Sequence, residues 1–100
     1  MARLTITYWR DIPSALSVRE GRREEKRLLP PRFQEAIDMA AMKAGAIGTD
    51  AYLAAWRRGE PSEVTGDLTA AADAAAADIE SRYDDEKLKI VTAQGGTENP

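Results

Sequence analysis

The chain contains neither histidine nor cysteine in its 100 residues. Without histidine it lacks the usual proton shuttle near neutral pH. Without cysteine it has no thiol nucleophile, no disulfide framework and few of the preferred ligands for zinc, iron or copper. Large aromatic side chains are scarce: one Phe, two Trp and three Tyr. No apolar run approaches the roughly 20 residues of a membrane span, and the first ten residues have no signal-peptide core. The expectation is a cytoplasmic, soluble protein built for binding rather than catalysis, with no cofactor, metal or membrane contact.

What is present is one domain's length of chain, able to bury about two-thirds of its unfolded surface. Hydrophobic residues make up 43%, but much of that is alanine. The composition predicts a thin core, closed by alanine-faced helices, to which a partner could add burial. Charge is divided along the chain: residues 1–59 carry net +4 and residues 60–100 carry net −7. Such asymmetry can steer a partner or simply keep two faces wet.

Leu4 to Arg10 alternates with β-branched and aromatic residues and predicts a strand. Leu4, Ile6 and Tyr8 share one face; Thr5, Thr7 and Trp9 share the other. Asp11 to Ser14 reads as a turn, and Ala15 to Arg19 as a returning antiparallel strand. Arg22 to Leu29 fits either helix or third strand. Pro30-Pro31 stops what precedes and starts a helix along Phe33, Ile37, Ala40, Ala41 and Ala44, ended by Gly45. Thr49 is a candidate N-cap for a short helix carrying Tyr52, Leu53 and Trp56. Asp67 opens an alanine-rich helix through Leu68, Ala72, Ala75, Ile79 and Tyr83. Asp84-Asp85-Glu86 either caps a further turn through Leu88, Ile90 and Val91, or the helix continues. The fold class is α+β: a small N-terminal antiparallel unit of two or three strands against three C-terminal helices. Residues 1–94 form the single domain, with 95–100 as a frayed tail.

Two groups of residues are candidate interaction sites. Trp9 with Arg10 and Asp11 has the chemistry of an interface hot spot if Trp9 is exposed; the alternative is that it lies under a helix or loop. Arg22, Arg23, Lys26 and Arg27 head a basic cluster over residues 19–32. Nucleic acid is disfavoured by the sequence pI near 5.0, three interleaved glutamates and the lack of a nucleic-acid motif. An acidic protein surface or an anionic cofactor tail fits better, and a solvated surface is the plain alternative. Asp84, Asp85 and Glu86 lack the alternate spacing and glycine of a calcium loop. No catalytic motif surrounds Ser14 or Lys26, and there is no glycine-rich phosphate loop.

The elements Tyr8-Trp9-Arg10-Asp11-Ile12-Pro13, Gly21-Arg22-Arg23, Lys26-Arg27, Arg32 to Asp38, Thr49 to Leu53 and Trp56-Arg57 resemble a small bacterial family labelled "virulence factor", common in alphaproteobacteria. The likeness runs from about residue 4 to 91. It brings no catalytic residue with it. Members are often encoded near a methylenetetrahydrofolate reductase-like protein and corrinoid-linked methyltransferases. The resemblance therefore implies a non-catalytic accessory subunit in one-carbon metabolism, its partner an enzyme of folate or methyl-group metabolism. The Trp9–Pro13 turn and the Arg22–Arg27 cluster would be its docking surface. The alternative is a module that grips an anionic ligand, such as a polyglutamyl tail, with the cluster at 19–32. A homo-oligomer is left open.

Overall fold

The computed structural model describes residues 2–46, 48 and 50–98. Among them the order is β1 (Ala2–Trp9), β2 (Ile12–Glu20), β3 (Arg23–Leu28), α1 (Pro31–Lys43), α2 (Asp50–Ala54), β4 (Trp56–Arg58), β5 (Ser62–Val64), α3 (Leu68–Arg82) and α4 (Asp85–Ala93). The α+β class stands. One antiparallel sheet runs β3-β2-β1, and the free edge of β1 is shared by β4 at one end and β5 at the other. The segment that fitted helix or strand is β3.

The first hairpin turns on Arg10 and Asp11 alone, so Ile12 and Pro13 belong to β2 rather than to a longer turn. Proline cannot donate to a ladder and sits best at irregularities. Here Thr7 pairs Ala15 and Tyr8 pairs Pro13, which leaves Ser14 as an extra, unpaired residue beside the proline. The Ser14 carbonyl instead accepts from the Leu29 N–H (3.1 Å), which ties the end of β3 to the bulge.

Pro31 occupies the first turn of α1, where its missing N–H costs nothing. Asp67 caps α3 by accepting from the Ala70 N–H (3.0 Å), and Asp84 caps a separate α4 through the Lys87 N–H (2.8 Å). Asp85 and Glu86 fall in the first turn of α4, where the helix dipole favours negative charge. The acidic triplet is thus a helix start. Thr49, the expected cap of α2, lies outside the described residues. Trp56, expected on that helix, instead opens β4 and pairs with Trp9. The tripeptide is too short to show a strand period; its place is set by the free edge of β1.

Leu4 and Ile6 face the helices beside their cross-strand partners Val18 and Leu16. α1 and α3 lie on this face, with α4 against α1. The buried residues of α1 beyond Phe33 and Ile37 are Ala36, Ala40 and Ala41, the alanine-faced closure that the composition predicts. Tyr83, at the end of α3, packs against Phe33 and donates its hydroxyl to Glu98 Oε1 (2.8 Å). Burial first, and this hydrogen bond second, push the Tyr83 phenol above its ordinary range. A raised folded pKa means a stabilising contribution that is complete below about pH 10, the unfolded value, and lost as pH rises beyond it. The expected result is that Tyr83→Phe flattens the alkaline end of the stability curve. Urea unfolding monitored across that pH range measures it; an unchanged slope refutes the assignment.

Candidate functional site

Trp9 is not the exposed anchor that its place in the alternation predicts. Its exposure is 0%, its indole N–H donates to the Tyr52 carbonyl (2.9 Å), and its ring packs beside that of Tyr52 and close to Gly96. The parity counted from Leu4 fails because the register shifts between Thr7 and Tyr8. Trp9 then pairs with Ile12, and both turn inward.

Arg10 and Asp11 hold neighbouring segments together. Arg10 adopts φ 52°, a conformation costly for a side-chain-bearing residue by about 1–3 kcal/mol. Its contacts keep it there: its N–H donates to the Ala55 carbonyl (3.0 Å), and Nη1 donates to the Gly95 carbonyl (2.9 Å). The Asp11 N–H donates to the Gly96 carbonyl (2.9 Å), while its carboxylate accepts from the Glu98 N–H (2.8 Å) and from Arg57 Nη2 (3.2 Å). Arg57 also donates to the Arg10 carbonyl and stacks over the Tyr8 ring at 4.5 Å. Residues 95–98 are therefore a strap fastened across Trp9, not a frayed end. Asn99 and Pro100 lie outside the described residues.

The basic cluster is also dispersed. Strand alternation sends Arg27 to the helical side, where it donates to Asp73 on α3 (2.9 Å) and to Glu25 (2.9 Å). Hydrogen bonds from Arg27 and then Thr69 lower the Glu25 pKa, and those to Asp73 and Glu25 raise that of Arg27. A lowered carboxylate stabilises above its unfolded pKa and loses that contribution as pH falls through the folded one. Arg32 donates to the carbonyls of Glu80 (3.1 Å) and Tyr83 (3.3 Å) at the end of α3. Arg22 and Arg23 are exposed around the β2–β3 turn. Of the four cluster residues first singled out, Lys26 and Arg27 border the trough on the other side of the sheet, and the Arg27 guanidinium is taken up by Asp73 and Glu25.

That side is the more informative surface. Among the described residues no helix covers it, and a trough of about 710 Å³ runs over it. Its floor is small and hydroxylic: Thr5, Thr7, Ala15 and Ser17. Arg3 stands directly opposite Arg19, with Glu63 beyond Arg3 on β5 and Glu24 beyond Arg19 on β3. Arg58 closes the far end opposite Thr7, and Lys26 stands opposite Ser17. Glu24 lies 3.9 Å from Lys26. Among the described residues no carboxylate pairs with Arg3, Arg19 or Arg58. The parity of Arg3, Thr5 and Thr7 is visible in the sequence; their meeting with Arg58 depends on β4, which leaves no pattern.

The Virulence factor family matches the chain over residues 7–91. The chain belongs to that family. No curated protein and no solved structure matches it. The matched stretch takes in the hairpin turn and Trp56-Arg57, which form one clamp: Arg57 joins the β4 strand to the turn at Arg10–Asp11. Among the described residues of this family member, no group of three or more acidic side chains is placed to hold a metal ion, and no helix is long and apolar enough to cross a membrane. A second, smaller groove lies between α1 and α4, with Met39 half-exposed at its rim and acidic and basic residues mixed around it.

Proposed function

We propose that this Virulence factor family member is a non-catalytic, cytoplasmic accessory protein that acts by binding, with the uncovered face of its sheet as the working surface. The observation that carries the reading is the trough itself: three guanidinium groups, without carboxylate partners among the described residues, around a floor of small side chains. Unpaired cations on a sheet that is packed on one side only suit a contact made with another molecule. The partner class comes from the family resemblance: an enzyme of folate or methyl-group metabolism. The clamp at Trp9–Asp11 supports the fold rather than the contact.

A tagged pull-down tests this reading. Wild type is expected to retain such an enzyme at low salt and release it as ionic strength rises, since exposed charges more than about 10 Å apart are screened at 0.1 M salt. Arg3→Gln/Arg19→Gln is expected to lose it. Recovery of no partner in the native lysate overturns the accessory role. A second reading, capture of a small anion, draws on the opposed Arg3 and Arg19; calorimetry with inorganic phosphate addresses it, and absence of heat removes it.

A further inference from the structure

Resting on the reading of the open face as the working surface, we infer that its occupant is an acidic, partly apolar segment of a partner protein, laid along β1 and β2. The spacing of the cations argues against a single compact anion. Arg3 and Arg19 share one end of the face, whereas Arg58 stands opposite Thr7 at the other. Four residue steps of strand lead from Arg3 to Thr7, about 13 Å at strand rise. One phosphate or carboxylate cannot reach both ends; a chain with carboxylates distributed along it can.

The lining argues against nucleic acid. Unpaired bases are held by stacking on aromatic rings. Among the described residues lining the trough there is no aromatic side chain. In their place are Thr5 and Ser17, hydroxyls that can donate to carboxylates. Leu28 supplies the apolar requirement. It stands opposite Ala15 at the edge of the same face and is 86% exposed, the most exposed large hydrophobic residue among those described. A purely ionic ligand has no use for it, whereas an apolar side chain on an acidic segment can cover it.

The opposed arginines point the same way. Like charges directly across a strand pair are destabilising. Glu63 and Glu24 flank the pair, yet neither comes within ion-pair distance of it among the described residues. An incoming carboxylate relieves that repulsion. Arg3→Gln/Arg19→Gln should therefore leave thermal stability unchanged or raised while it weakens binding, a split that a structural role would not produce.

The test is a titration of the ¹⁵N-labelled protein with a synthetic peptide of alternating Glu and Leu, with inorganic phosphate and an oligothymidylate as separate arms. The expected result is shifts centred on the amides of Arg3, Thr5, Ser17, Arg19, Leu28 and Arg58, spanning both ends of the face. Binding is expected to weaken about tenfold or more in Arg3→Gln/Arg19→Gln, and measurably in Leu28→Ser. Shifts centred on α1 and α4 overturn the inference. So does a match by phosphate or oligothymidylate with Leu28→Ser without effect, or concentration-dependent broadening of the free protein at this face, which assigns it to a second copy. A native partner retained equally by wild type and Arg3→Gln/Arg19→Gln defeats the surface while the accessory role stands. Peptide binding as expected with no partner in the lysate defeats the accessory role instead.

Discussion

Trp9→Ala is expected to destabilise the fold by about 3–5 kcal/mol, the range for loss of a large buried aromatic. The residue is 0% exposed and lies where three segments meet: β1, α2 through Tyr52, and the strap through Gly96. Truncation opens a cavity that the surrounding alanines are too short to fill. It also strips the Tyr52 carbonyl of its indole donor. Domains of ordinary stability hold only about 5–15 kcal/mol in reserve, so the variant should be partly unfolded or close to it. Urea denaturation followed by circular dichroism measures the change. A loss below about 1 kcal/mol, the usual range for surface substitutions, would return Trp9 to the surface role that its position in the strand pattern suggests. Trp9→Phe is expected to fall between the two, retaining a ring and losing the hydrogen bond.

Gly96→Ala is expected to cost about 2–4 kcal/mol, from a backbone cost and an overpacking cost combined. The backbone there has φ +97°, and a Cβ would sit 2.8 Å from Cζ3 of Trp9. The indole has little room to retreat, because it is fully buried and already packs beside the Tyr52 ring. Gly66→Ala separates the two causes: its φ is +91°, but a Cβ there meets nothing within 4 Å. Paired melts should show Gly66→Ala losing only the backbone part. Equal losses in the two variants would mean that the strap does not press on Trp9.

The regular elements were legible because their signals are local. Alternation marks β1, Pro30-Pro31 marks the start of α1, and Asp67 marks the start of α3. Arg23–Leu28 was undecidable, since Arg-Glu-Glu-Lys-Arg-Leu has no β-branched residue and suits a helix equally well; the edge of β2 decides it. Three features were hidden for the same physical reason, that distant pairing sets them. Trp9 changes side because of an extra residue on the opposite strand. Gly95 to Glu98 looks like a loose end until Arg10 and Asp11 reach it. Arg27 leaves the basic cluster because its pairing opposite Leu16 on β2 sets its side of the sheet, where Asp73 on α3 meets it. Of the candidate site, Arg19 and Lys26 were visible within the cluster, but Arg3 and Arg58 join them only through the sheet.

The strap has a consequence for biosynthesis. Asp11 and Glu98 are 87 residues apart in the chain. At translation rates of about 5–20 residues per second, the hairpin waits roughly 4–17 s for the segment that covers its indole. During that interval the side of the indole that packs close to Gly96 is without its cover. The hairpin can form well before the strap that fastens across it.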